Sequence, residues 1–391
     1  MTIERGKKQL AVSSYLFIRH KGEKTLDKQS VLVLGAGKIG SLITCLLSNS
    51  KKYSLHVVSL ETDEIREQVD ELSLPNVTIK ELDVTDTVKL KSYMQAHNFN
   101  AVISGLPYYC NIKVADLCAE LGLNYFDLTE DVEVTRHVKK ISKGKKNVFM
   151  PQCGLAPGFI SIAAHDLMKD FEEIDIVKMR VGALPVNPNN VLKYSLTWST
   201  DGLINEYGNT CFGIHNKEMV PLQPLEGYET ITLDGVLYEA FNTSGGLGTL
   251  ADSYENRVNT MNYKTIRYPG HCKEMILLMN DLKLNDDRDT LKRILENAIP
   301  KTLQDVVLIY VAVSGKKHGH LFEENYLNKV YPQKIAGKLW SSIQVTTAAG
   351  ICGVMDIVLN NIDKYQGFVT QESISLDDFL ENQFGQYYIS K

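Results

Sequence analysis

Three glycines within six residues are the sharpest chemical signal in the chain. Gly35-Ala36-Gly37-Lys38-Ile39-Gly40 follows the apolar run Val31-Leu32-Val33-Leu34 and opens the apolar-periodic stretch Ser41 to Leu47. In that setting each glycine has a task. Gly35 permits a tight turn, Gly37 lets backbone approach a pyrophosphate, and Gly40 lets a helix pack close to a strand. The free N–H groups of the first helical turn, at Lys38 and Ile39, then face the phosphates from a positive dipole end. Glu61 follows about 20 residues on, where a carboxylate bonds the adenosine ribose. In strict register Leu60 stands at the acidic place, which leaves Glu61 open to a reading as a surface carboxylate. No Arg occupies the position to take the extra phosphate of NADP, so the reading favours NAD, with NADP as the alternative.

These residues need a parallel sheet to hold them, and the pattern supplies one. Strands are expected at Leu55 to Leu60, Val77 to Leu82, Ala101 to Ser104, Tyr125 to Asp127 and Val148 to Met150. Helices are expected at Val88 to His97 and Asn111 to Leu121. Alternating strand–helix units make a doubly wound α/β sheet with ligands at the carboxyl ends of its strands. Asp83 and Val84, then Leu106, Pro107 and Tyr108, then Asp127 occupy those ends. The last three belong near the nicotinamide; Tyr108 and Asp127 could equally be loop residues without chemistry.

Near residue 150 the pattern changes. Pro151 to Gly158 is rich in Gly and Pro and opens a helix, Phe159 to Met168. Strands at 177–182, 194–198, 229–233, 236–240 and 306–313, with helices at 202–207, 271–279 and 289–298, indicate an α+β domain built on a mixed sheet. Lys334 to Leu359 is expected to be one helix, rich in small residues at Thr346 to Gly350, that returns to the Rossmann sheet. The division is an extension (1–29), a Rossmann domain (30–152) completed by 334–391, and a substrate and dimerisation domain (153–333).

Composition narrows the class. The chain has 391 residues, 42 Lys+Arg and 47 Asp+Glu, and no clustered basic face, which argues against a nucleic-acid partner. Its seven cysteines are odd in number and lack a C-x-x-C pair, which fits a reducing cytoplasm and neither a disulfide framework nor a zinc site. The apolar runs look too short for a membrane helix, the segment Ala11 to Ile18 lacks a signal-peptide pattern, and His318-Gly319-His320 reads as an exposed turn rather than a metal pair.

The motifs together resemble the saccharopine dehydrogenase family. They are VLVLGAGKIG at 31–40, LDVTD at 82–86, ISGLPYYCN at 103–111, FDLTED at 126–131, CGLAPG at 153–158, TIRYPGH at 265–271, TTAAG at 346–350 and GFVTQESISLDDFL at 367–380. Within the family, Gly246 to Leu250 followed by Thr265 to His271 looks most like lysine 6-dehydrogenases. The resemblance implies an NAD(P)-dependent dehydrogenase acting on a carbon–nitrogen bond of an amino acid or polyamine, in a cytoplasmic homodimer.

The implied reaction needs a cation for the substrate carboxylate and a group to take the amine proton. Arg267, read as lying in a loop, is the candidate cation, since guanidinium binds carboxylate bidentately. Tyr108, Asp127, Cys153 and His271 are the candidates for proton transfer. Cys153 is read as sitting ahead of a helix N-terminus, which lowers a thiol pKa; the alternative is a small buried apolar residue. His271 could instead pack or cap a helix. Asp201 and Glu206 are candidates for the substrate ammonium, or else face solvent. Three readings compete: oxidative deamination of L-lysine at its 6-amino group, a saccharopine- or carboxynorspermidine-type enzyme, and a non-catalytic NAD(P)-binding regulator. A second buried cation, Arg180 or Lys193, would favour the second.

Overall fold

A computed structural model describes residues 28–389. The extension read at residues 1–29, with Ala11 to Ile18, falls almost wholly outside them.

The first sheet forms from short, fully buried apolar runs joined by helices. In chain order these are β1 (Gln29–Leu34), α1 (Lys38–Asn49), β2 (Tyr53–Ser59), α2 (Asp63–Glu71), β3 (Val77–Glu81), α3 (Thr87–Ala96), β4 (Ala101–Ser104), α4 (Tyr108–Leu121), β5 (Asn124–Asp127), α5 (Val132–Ile141) and β6 (Val148–Met150). The strands run parallel in the order β3-β2-β1-β4-β5-β6, and the chain reverses its winding between β1 and β4. That switch point opens a crevice at the carboxyl edge.

The second sheet follows. Its elements are α6 (Phe159–Met168), β7 (Glu173–Pro185), α7 (Thr200–Gly208), β8 (Cys211–His215), β9 (Glu218–Leu222), β10 (Glu229–Leu233), β11 (Val236–Asn242), α8 (Leu250–Tyr254), β12 (Val258–Arg267), α9 (His271–Ile276), α10 (Arg288–Ala298), β13 (Asp305–Lys317) and β14 (His320–Val330). The path β10-β11-β12-β7-β13-β14 is mixed: β12 and β7 are parallel, the other pairs antiparallel. Segment 194–198, read as a strand, is irregular instead. Tyr194 and Leu196 pack into a cluster with α7, α9 and α10 rather than onto a neighbouring strand. His318 and Gly319 form the β13–β14 turn, and His320 opens β14.

The chain ends with β15 (Gln333–Ile335), β16 (Lys338–Trp340), α11 (Ser342–Asn360), β17 (Gly367–Phe368) and α12 (Leu376–Glu381). The long helix expected from Lys334 therefore begins at Ser342. Ala336 and Gly337 have φ of 51° and 87°, which turns the chain into the β15–β16 hairpin and excludes a helix there. Ser341 caps α11 in a capping box with Gln344. α11 is long and apolar enough to cross a membrane by length and composition, which the sequence reading did not register, but 94% of it is buried inside the protein. It packs on α1, and Gln344 donates to the Lys38 carbonyl (3.1 Å). A Cβ at Gly350 would lie 2.8 Å from the Gly154 carbonyl oxygen, so the small residues let α11 seat against the 153–158 loop. β17 pairs with β6 and extends the first sheet.

Candidate active site

A cavity of about 280 Å³ lies between the two sheets. Its first wall is the carboxyl edge of the Rossmann sheet: Ile39, Gly105 to Tyr108, Leu128 and Glu130. The second is the far sheet, through Val181 and Ala183 on β7 and Tyr263, Thr265 and Arg267 on β12. Trp198 to Glu206 roof it, and Ile343 and Thr347 of α11 close it.

Beside it the glycine turn is shaped for a dinucleotide. Gly35 has φ of 92°, a left-handed turn that favours glycine. A Cβ at Gly40 would overlap the Gly35 carbonyl oxygen, so this glycine is needed for packing. A Cβ at Gly37 would meet nothing within 4 Å. Gly37 caps α1 without a side-chain bond, leaving the N–H groups of Lys38, Ile39 and Gly40 to face that space. The residues therefore fit a pyrophosphate. Glu61 follows β2 at the same edge, and Asp83 and Val84 follow β3. Asp83 already accepts from Thr85 N (2.9 Å) and Thr85 Oγ1 (2.7 Å). Arg66, one turn into α2, donates to Thr62 Oγ1 (3.3 Å), which puts a cation near the ribose corner that the sequence reading left without one.

Of the expected proton-transfer groups, only Tyr108 lines the cavity. Burial, then Asp131 and Glu130, push its phenol up, so it is a hydrogen-bond donor rather than a base. Asp127 is fully buried and spent. It accepts from Tyr125 Oη (2.6 Å), Thr129 N (2.9 Å) and Gln152 N (2.9 Å), and so clamps the β5–α5 loop that carries Glu130. His271 is also buried, with Nδ1 against the Leu192 carbonyl (2.7 Å) and Nε2 against Tyr207 Oη (3.1 Å). Burial and Arg267 drop it to about 3, so it stays neutral and accepts from the phenol. Asp127 and His271 are both buried with these bonds already made, and neither is among the residues that line the cavity, where the sequence had led us to expect them.

Cys153 is corrected as well. α6 begins only at Phe159, capped by Gly158, so no helix dipole reaches the thiol. Its Sγ donates to the Met150 carbonyl (3.0 Å) and accepts from Gln371 Nε2 (3.3 Å), and burial and Asp127 push its pKa well up. Cys153→Ala is expected to keep kcat within about threefold and to cost only about 0.5–1.5 kcal/mol of stability for the lost hydrogen bond, because Gln371 Nε2 keeps the Pro151 carbonyl (3.0 Å) as acceptor. Loss of turnover at unchanged Tm would return Cys153 to the chemistry.

Arg267 ends strand β12 rather than lying in a loop. Its guanidinium stacks on Tyr194 (5.0 Å) and Tyr207 (5.7 Å). Nε donates to Tyr207 Oη (2.8 Å) and Nη1 to the Ile266 carbonyl (2.8 Å). Burial opposes its charge; the Tyr207 and Tyr194 phenols and Glu206 outweigh that and raise its pKa. Glu206 lines the cavity, while Asp201 sits half-exposed at the mouth, paired with Lys292 (2.7 Å). Neither Arg180 nor Lys193 joins them: Arg180 is held by Glu229 (2.5 Å), and Lys193 donates to the Pro269 carbonyl (2.7 Å). Glu130, which sequence reasoning passed over, faces the cavity from the FDLTED motif. The position just past a parallel strand was the signal that pointed to it. The loop Gly245 to Thr249 lines a separate cavity of about 140 Å³.

This layout, a nucleotide crevice facing a mixed sheet across one cavity, matches two family models that together span most of the chain. The saccharopine dehydrogenase NADP binding domain matches residues 31–148, and the saccharopine dehydrogenase C-terminal domain matches 154–384. The chain belongs to the saccharopine dehydrogenase family. It is an oxidoreductase of that family with a nicotinamide-cofactor domain. Its fold is similar to that of apo saccharopine dehydrogenase (L-Glu forming) from Saccharomyces cerevisiae, with a TM-score of 0.71 at 15% identity over 90% of this chain and 95% of that one. A putative myo-inositol dehydrogenase from Sinorhizobium meliloti gives 0.46 at 11% identity over 90% and 93%. An engineered D-amino acid dehydrogenase bound to NADP+ gives 0.45 at 10% over 91% and 97%.

Proposed function

We propose that this family member oxidises the 6-amino group of L-lysine, releasing ammonia and leaving a semialdehyde. One observation carries the reading: among the described residues lining the cavity, Arg267 is the single cation and Glu130, Asp201 and Glu206 are acids. One guanidinium suits one carboxylate, and the excess of carboxylates suits a free ammonium. A saccharopine-type substrate brings several carboxylates, and the acids would oppose them.

Bound nicotinamide supplies the hydride acceptor for the carbon next to nitrogen. Gly37 and the first turn of α1 would hold its pyrophosphate, and Glu61 the ribose of NAD, with Arg66 as the feature that admits NADP. Arg267 anchors the far carboxylate, Tyr108 donates a hydrogen bond on the nicotinamide side, and Asp201 with Lys292 guards the mouth. The reading includes a homodimer formed through the second sheet.

Purified protein is mixed with NAD or NADP and with L-lysine, saccharopine or carboxynorspermidine, and reduced-nicotinamide absorbance is followed with an ammonia assay. Reduction with lysine and release of ammonia is the expected result. Reduction only with a secondary amine replaces the lysine reading. Confirmed cofactor binding without reduction by any of them favours the non-catalytic class.

A further inference from the structure

Resting on the amine-oxidation reading, we propose that Glu206 is the general base that takes the substrate amine's proton, with Glu130 as the neighbour that tunes it. Ser199 caps α7 by accepting from Gly202 N (3.2 Å), and the Glu206 carbonyl accepts from Ser244 N (2.9 Å), so the helix is fixed at both ends of this stretch. Glu206 is 8% exposed, lines the cavity, and its carboxyl has no hydrogen-bond partner among the described residues. A carboxyl buried that deeply without a donor costs stability unless a ligand supplies one. Glu130 lines the same cavity and is close enough for its charge to act on Glu206, which brings both acids to one corner of it.

The other bases fall away by position. Asp127, Cys153 and His271 lie outside the cavity, Tyr108 keeps its proton, and Asp201 is held by Lys292 at the rim. In the step itself one N–H bond of the substrate ammonium breaks and its proton passes to the Glu206 carboxylate. The electron pair stays on nitrogen. It then forms the C=N bond as hydride leaves the neighbouring carbon for the nicotinamide, and water later hydrolyses the imine.

The electrostatics suit a base working near neutrality. Burial pushes Glu206 up to about 8; Arg267 pulls it down and Glu130 pushes it up. Glu130 is itself pushed to about 7, by burial first. The titratable or charged groups coupled to Glu206 are Glu130 from the β5–α5 loop, Tyr263 and Arg267 from β12, Tyr194 before α7, Tyr207 on α7 and Cys211 on β8. As pH rises through this range the carboxylic acid becomes an acceptor, so activity rises.

The test uses the full chain with E206Q and E130Q, which keep the shape of each side chain. Readouts are cofactor affinity, Tm, the pH profile of kcat, and a carbon-NMR titration of labelled glutamate. Expected for E206Q are a loss of about 10²–10⁴ in kcat, disappearance of the rising limb near the value of about 8 and of the matching NMR transition, and unchanged cofactor binding. E130Q is expected to move the limb to lower pH with a smaller loss, because the repelling charge is gone. Wild-type-like kcat with the limb intact in E206Q, while the wild type oxidises lysine, overturns the base assignment alone. A wild type that oxidises no amine overturns the underlying reading as well.

Discussion

Gly37→Val is expected to abolish nicotinamide-cofactor binding while leaving the protein folded. The space beyond Gly37 contains no protein atom within 4 Å of where a Cβ would sit, and its backbone (φ −68°, ψ −165°) is one a β-branched residue adopts readily. The cost to the fold is thus confined to the cap of α1, about 1 kcal/mol. The isopropyl group would stand where a pyrophosphate must approach the α1 amides, and a loss of at least about 100-fold in affinity, on the order of 3 kcal/mol, is expected. Gly40→Ala makes the contrast. Its Cβ would overlap the Gly35 carbonyl, so it is expected to lower Tm as well as binding. Calorimetric titration with NAD and NADP, beside a thermal melt, separates the two. Undiminished affinity in Gly37→Val would remove the pyrophosphate from this turn.

The Rossmann half was legible because burial on both faces of a parallel sheet leaves short runs of Val, Ile and Leu, with helices of clear period between them. β4, β6 and α6 fall where the pattern puts them. The second sheet was less so. β12 reads Val-Asn-Thr-Met-Asn-Tyr-Lys-Thr-Ile-Arg, yet most of it is buried. Its polar side chains serve the cavity (Thr265, Arg267) and an ion cluster, in which Lys264 pairs with Glu229 (2.8 Å). Polar side chains that face a cavity look like a loop, which is why Arg267 was placed in one. β14 is an edge strand with mostly exposed side chains, so no alternation marked it. The same limit hid Glu130 and left Glu206 open between the substrate and the solvent. Periodicity identifies what faces the core, and Glu130 and Glu206 face a cavity enclosed only when α7, β5 and β12 meet.

Arg267→Ala is expected to raise the KM for lysine by about 30- to 4,000-fold, the roughly 2–5 kcal/mol cost of removing one member of a buried charged pair. Its effect on cofactor affinity should be small, because the glycine turn lies on the other wall. Arg267→Lys is expected to recover little. Nη2 makes no bond to the described residues, so Nη1 and Nη2 present an edge to a carboxylate that an ammonium cannot reproduce. Equal losses in substrate and cofactor affinity would take Arg267 out of the carboxylate role. The substitution also reports on the base. Arg267 pulls the Glu206 carboxyl down, so without it that group should ionise only at higher pH. The rising limb of the pH profile is therefore expected to move up in Arg267→Ala and down in E130Q. Opposite displacements by a cation and an anion, in a limb that E206Q erases, would tie the three side chains to one titrating site.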